Sequence, residues 1–334
     1  MLQTQRFGTM QLDVLSIASP VLTRPQRGAN PVQSPPASPL QMQKLARTRA
    51  TPAKLDLPPQ TVHLDCKAKG MGMTNSMQGK RGLIMGVANA NSIAWGIAKA
   101  MHEAGAELAF TYQGEAFGKR LEPLAASVGS DIMIDVDVND NASMDAAFAV
   151  LEERWGTLDF VVHAIAFSDK AELTGRFINT SRDNFRNSLT ISCYSLIDVA
   201  RRARPLMPNG GTILTLTYQG SNRVTPFYNV MGVAKAALES AVRYLANDLG
   251  PEGIRVNAIS PGPMKTLAGA AIGGARKTFK HTGENAPLRS NATLEAVGGT
   301  AVYLASDAGN CTTGEIVRVD GGYHVLGMPQ SENI

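Results

Sequence analysis

From Lys80 to about Asp320, short runs of consecutive apolar residues alternate with longer segments whose apolar positions recur every three to four residues. The runs Leu83–Met85, Leu108–Tyr112, Ile132–Val136, Phe160–Ile165, Thr212–Thr217, Val256–Ile259 and Ile316–Val319 read as strands. Between them, Ser92–Ala104, Glu115–Val128, Ala142–Trp155, Arg182–Arg204, Val230–Leu249 and Leu294–Ser306 read as helices. Strands without polar alternation are buried on both faces, and strands separated by helices pair in parallel. The pattern predicts an α/β fold with one doubly wound parallel sheet, no internal repeat and no second domain. Ligands of such sheets bind at the carboxyl ends of the strands, near the point where strand order reverses.

The first 72 residues break this pattern. They hold nine of the 18 prolines and show no period of 2 or 3.6, so they are expected to be a disordered extension. Nine basic and three acidic side chains give them a net of +6, whereas the other 262 residues, with 23 basic and 25 acidic, carry −2. The overall +4 therefore describes the extension, and the expected folded part has no basic excess for nucleic acid. Three origins fit the extension: translation starting at Met71, Met73 or Met77, a targeting segment, or an interaction tail. The first places the protein in the cytoplasm and the second in an organelle. Three widely spaced cysteines exclude a disulfide-rich scaffold and lack zinc-site spacing, so no metal is expected, and no apolar run reaches the roughly 18 residues of a membrane span.

Candidate chemistry gathers at the predicted carboxyl edge. The first strand runs into "GVANANSIAWG", Gly86 to Gly96, with Ser92 placed to cap a helix whose N-terminus suits a pyrophosphate. The usual G-x-G-x-x-G is absent, and an ordinary tight turn also fits. Gln113 follows the second strand, where an acid would favour NAD and an arginine NADP. With no cation before Lys119, the segment favours NADH over NADPH. Asp137 and Val138 end the third strand, where the carboxylate fits either an adenine amino group or the cap of the next helix. In "YNVMGVAK", Tyr228 and Lys235 stand seven apart, about two helical turns, so the lysine can lower the tyrosine's pKa or fix its orientation. Tyr218 leaves the fifth strand on the same edge.

With these residues in view, the chain from about Met77 to Met328 resembles the divergent short-chain dehydrogenases that are enoyl-(acyl carrier protein) reductases of bacterial fatty-acid synthesis. The resemblance rests on "GVAxxxSIAxGIA", "GAELAFTYQ", "LDFVVHAI", "YNVMGVAKAALE", "GIRVNAIS" and "GEIVRVDGGY" together. Ordinary short-chain dehydrogenases have tyrosine four residues before the lysine; here that position is Met231. The resemblance implies a Rossmann-type domain that reduces the trans-2 double bond of an enoyl thioester with NADH. Tyr228 would hold the thioester carbonyl, Lys235 the nicotinamide ribose, and Tyr218 and Ser168 would line the substrate pocket. Gly86, Ser92 and Ile93 would follow the pyrophosphate; Gln113, Asp137 and Val138 the adenosine; and Ile165 the ribose. Met264, Lys265, Thr266, Leu267 and Ala268 would meet the carboxamide and diphosphate. Residues 264–285 would form a mobile lid, with Arg276 and Lys277 facing the acidic acyl carrier protein, and the assembly would be a homotetramer. Ala164, Ala166, Phe227 and Pro261 depart from the family's usual residues. Two rival expectations are a carbonyl or alcohol dehydrogenase on the same fold and a non-catalytic dinucleotide-binding paralogue.

Overall fold

The computed structural model describes residues 76–267, 269 and 273–333. The extension before residue 76 and Ala268 of the cofactor set lie outside the described residues. Seven parallel strands form one sheet: β1 Arg81–Met85, β2 Glu107–Tyr112, β3 Met133–Asp135, β4 Phe160–His163, β5 Gly211–Leu216, β6 Ile254–Pro261 and β7 Ile316–Val319. Their order is β3-β2-β1-β4-β5-β6-β7, so the direction of winding reverses between β1 and β4. Leu83 pairs with Ala109 on β2 and with Val161 on β4, which puts the ends of these strands level.

The helices are α1 Ile93–Glu103, α2 Glu115–Ser127, α3 Asn141–Trp155, α4 Arg182–Leu189, α5 Ser195–Ala203, α6 Asn229–Leu249, α7 Ala275–Asn285 and α8 Leu294–Ala305. Because successive strand side chains point to opposite faces, the sheet feeds two cores. Leu83, Met85, Val161, Ile213 and Val256 pack with Leu151 of α3, Leu196 and Val199 of α5, and Leu238 and Val242 of α6. Ile84, Phe110, Val162, Leu214 and Ile259 pack on the other face with Ile97 and Met101 of α1 and Val297 and Ala301 of α8. This is the Rossmann-type doubly wound sheet that the apolar pattern predicts. Among the described residues no helix is long and apolar enough to cross a membrane, and no cluster of side chains is suited to a metal ion.

One segment differs from the expectation. The single helix predicted over Arg182–Arg204 is α4 and α5 joined by a π-turn at Thr190–Tyr194. The second half of the expected lid is the regular helix α7, opened by Gly274 at φ +70°.

Candidate active site

Every described residue of the predicted site lies at or just beyond the carboxyl edge of the sheet, on both sides of the β1/β4 reversal. Gly86 leaves β1 at φ +96°, a conformation that favours glycine. A Cβ on it would fall 2.1 Å from the carbonyl oxygen of Ala164, beyond β4. Gly86→Ala is therefore expected to cost about 3 kcal/mol or more, read as a shift in urea midpoint, and to weaken NADH binding in the same protein.

Ser92 occupies the N-cap position of α1, but its hydroxyl does not cap the helix. It turns back and accepts from the N–H groups of Ala88 and Asn89, both at 3.0 Å. The serine thus shapes the turn. The first N–H groups of α1, from Ile93 on, have no acceptor within the helix and mark an anion-binding end. Gln113 is exposed directly after β2. Lys119, the nearest cation in sequence, pairs with Glu115 at 2.5 Å. Asp137 is not a helix cap: Asp140 caps α3, accepting from Ala142 N–H at 2.9 Å. The Asp137 carboxylate instead accepts from Asn139 N–H at 2.9 Å, with Val138 half-buried beside it. These features fit a dinucleotide: a glycine turn, a helix N-terminus at the reversal, and a neutral side chain at the adenosine end.

Tyr228 is buried at the N-cap of α6, just outside the helix that carries Lys235. Its ring meets that of Tyr218 edge to face, with centroids 5.2 Å apart. Met231 and Leu173 complete an apolar pocket around it, so the position four before Lys235 holds a packing thioether and no hydroxyl. The expectation that Lys235 lowers the tyrosine's pKa is not met. Burial, reinforced by Tyr218 and Glu239, raises the pKa of Tyr228 well above the usual phenol range. A phenol in that state keeps its proton and serves as a hydrogen-bond donor. Burial also raises the pKa of Tyr218, whose hydroxyl accepts from Gln219 Nε2 at 3.3 Å.

Lys235 is buried, and its Nζ donates to the carbonyl of Leu216 at 2.7 Å. Burial pulls its pKa down to about 8, while Cys193 and Glu239 oppose the shift. Glu239, one turn further along α6, accepts from the Thr217 hydroxyl at 2.7 Å. The remaining predicted residues hold looser places. Ile165 is half-buried after β4. Ser168 donates to Asn184 Oδ1 at 3.3 Å. Lys265 Nζ lies 4.8 Å from the centre of the Phe279 ring, and Thr266 Oγ1 accepts from Gly269 N–H at 2.9 Å. Met264 is half-buried and Leu267 exposed.

The family model for enoyl-(acyl carrier protein) reductase matches residues 86–324. The chain belongs to the enoyl-(acyl carrier protein) reductase family. It is 60% identical over 260 residues to enoyl-acyl-carrier-protein reductase (NADH) 2 of Rhizobium meliloti, covering 78% of this chain and 97% of that one. Among solved structures, an Anaplasma phagocytophilum enoyl-acyl-carrier-protein reductase in complex with NAD superposes with a TM-score of 0.75 at 56% identity, covering 78% of this chain and 98% of that one. The Bacillus cereus enoyl-acyl carrier protein reductase, solved with NADP+ and an indole naphthyridinone, gives 0.75 at 48% identity, covering 77% and 100%.

Several residues of this family member's site carry no signal in the sequence. The π-turn places Ser192 so that its hydroxyl accepts from Phe167 N–H at 2.9 Å and donates to the Phe167 carbonyl at 3.1 Å, holding the segment after β4. His163, at the end of β4, is fully buried. The Thr215 hydroxyl donates to the His163 carbonyl at 3.1 Å and lies 3.0 Å from the ring's Nδ1. Nε2 lies 2.8 Å from Ser195 Oγ, whose own proton goes to the Ile191 carbonyl at 2.6 Å. Burial, with the Lys235 charge second, pushes His163 down to about 3. Native His163 stays neutral while the unfolded chain protonates near 6.5. Its stabilisation is complete above 6.5 and lost as pH falls towards 3, at up to about 1.4 kcal/mol per pH unit. Urea midpoints are expected to fall over this range, and His163→Gln to flatten the slope.

Proposed function

We propose that this chain is an NADH-dependent enoyl-(acyl carrier protein) reductase that reduces the trans-2 double bond of enoyl thioesters, the last step of the fatty-acid elongation cycle. The observation that carries this reading is the buried Tyr228 facing Tyr218, with Met231 where a carbonyl-reducing dehydrogenase of this superfamily has its tyrosine. When bound, NADH supplies a hydride to the β-carbon of the enoyl group, and the α-carbon then takes a proton from solvent or a relay. As that happens, negative charge develops on the thioester oxygen, and Tyr228 donates a hydrogen bond to it from a water-poor pocket, where such a bond is strongest. Lys235 keeps a positive charge near neutral pH and would hold the nicotinamide ribose, next to Ile165. Gly86, Ser92 and Ile93 would follow the pyrophosphate, Gln113, Asp137 and Val138 the adenosine, and Met264–Leu267 the carboxamide and diphosphate. Tyr218 and Ser168 would line the acyl pocket.

Residues 264–285 would form the lid. Arg276 and Lys277, both exposed on α7, suit the acidic acyl carrier protein. The exposed Phe185, Tyr194, Ile197, Val233 and Tyr244 on α4, the π-turn, α5 and α6 support self-association, in keeping with a homotetramer. The test is NADH oxidation with crotonyl thioester, repeated with NADPH and with acetoacetyl thioester. Turnover of crotonyl thioester with NADH is the expected result. Reduction of acetoacetyl thioester alone would make the protein a carbonyl reductase, and cofactor binding without turnover would make it non-catalytic.

A further inference from the structure

Two residues other than glycine flank Tyr228 in the left-handed region, Phe227 at φ +61° and Asn229 at φ +34°. Such backbone is costly and persists only where its surroundings hold it. Each of the two side chains reaches a different segment. Asn229 Nδ2 donates to the carbonyl of Glu172 at 3.1 Å. The Phe227 ring, 44% exposed, lies against the backbone of Gly273 and Gly274. It sits so close that a Cβ on Gly273 would fall 2.9 Å from its Cγ, and one on Gly274 3.1 Å from its Cε2. The seat therefore depends on two residues without side chains.

That seat is the start of α7, whose far end is also fixed. Asn285 accepts from Gln330 N–H at its side-chain oxygen and from Gln330 Nε2 at its carbonyl, both at 2.8 Å. The same C-terminal segment is gripped by Arg223, which donates to the carbonyls of His324 and Leu326 from the loop leading to Tyr228. The tyrosine's loop and α7 are thus joined twice, through the C-terminal segment and through the Phe227 ring. Of these two joints only the ring belongs to the residue next to Tyr228 in the chain.

We propose that Phe227 is a positioning residue: its ring, seated on Gly273–Gly274, couples the start of α7 to the orientation of Tyr228. This rests on Tyr228 being the donor to the thioester. The test compares kcat, KM and NADH affinity in Phe227→Gly, Phe227→Tyr, Gly273→Ala and the Phe227→Gly/Gly273→Ala pair, with Tyr228→Phe alongside. Glycine accepts φ +61° readily, so Phe227→Gly removes the ring without straining the backbone. It is expected to lower kcat/KM for crotonyl thioester about tenfold with NADH affinity unchanged. Phe227→Tyr should behave like the parent. Gly273→Ala should lose activity in the parent, where the new methyl meets the ring, and add no loss once the ring is gone. Hydrogen exchange over residues 273–285 should quicken in Phe227→Gly whatever the turnover.

Parent-like kinetics and exchange in Phe227→Gly, or additive losses in the pair, would overturn the proposal. If Tyr228→Phe is impaired while Phe227→Gly is not, only the coupling falls. If Tyr228→Phe keeps full turnover, the donor role itself falls, and Phe227 has no phenol to position.

Discussion

Tyr228→Phe is expected to lower kcat on crotonyl thioester by about 10²–10³-fold while leaving NADH affinity within about twofold of the parent. The substitution removes one oxygen from a pocket formed with Tyr218, Met231 and Leu173, so the ring still fills its place and the fold is not the variable. What is lost is a donor whose proton is held firmly, since burial and the neighbouring Tyr218 and Glu239 raise the phenol's pKa. Because the charge it meets exists only as the reaction proceeds, the loss should fall on kcat and much less on KM. A second consequence follows from the direction of that shift. Between pH 6 and 9 the phenol does not ionise, so any basic limb of the rate profile must belong to another group. A variant with near-normal kcat would remove Tyr228 from the role.

Lys235→Met should separate activity from stability. Turnover is expected to fall about 100-fold, as for loss of a charged group acting directly on a bound cofactor. The apo-protein, however, should unfold no more easily than the parent at pH 7. The parent buries an ammonium whose pKa drops from 10.5 to about 8, and burial is the largest cause. Below pH 8 both folded and unfolded chains carry the proton, and the fold bears the full cost of a buried charge, about 3 kcal/mol. Between 8 and 10.5 the unfolded chain binds more protons than the folded one, so parent stability rises with pH. The methionine variant lacks that rise, although it also gives up the bond to the Leu216 carbonyl. Urea midpoints for the two proteins at pH 7 and pH 10 check the argument: the variant's advantage should shrink at the higher pH. An equal pH dependence in both would show that Lys235 is not the group that titrates.

Much of this architecture is legible in the apolar pattern, because parallel strands covered on both faces leave a plain signature. Leu83–Met85 and Val161–His163 lie side by side in β1 and β4, as a doubly wound sheet requires, and the carboxyl edge carries the described candidate residues. What escapes is set by contacts distant in sequence. Asp137 could be read from its place as the cap of the next helix, yet Asp140 takes that role. Ser92 has the composition of a capping residue, yet the nearer N–H groups of its own turn claim the hydroxyl. Tyr228 and Lys235 have helical spacing, but the helix begins at Asn229, so the two are arranged by a cap and not by a shared face. Periodicity also cannot show that His163, in an unbroken apolar run, is balanced between Thr215 and Ser195.

The π-turn at Thr190–Tyr194 makes the length of its helix part of the chemistry. Each residue of an α-helix turns the chain by about 100°, so an inserted residue is felt by everything downstream of it. Removing Ile191 would restore even winding and take away the carbonyl that receives the Ser195 hydroxyl. Substitutions of exposed polar side chains along this helix, such as Arg182, should be absorbed with little effect. A change of one in its residue count should not, because the π-turn seats Ser192 against Phe167 and Met231.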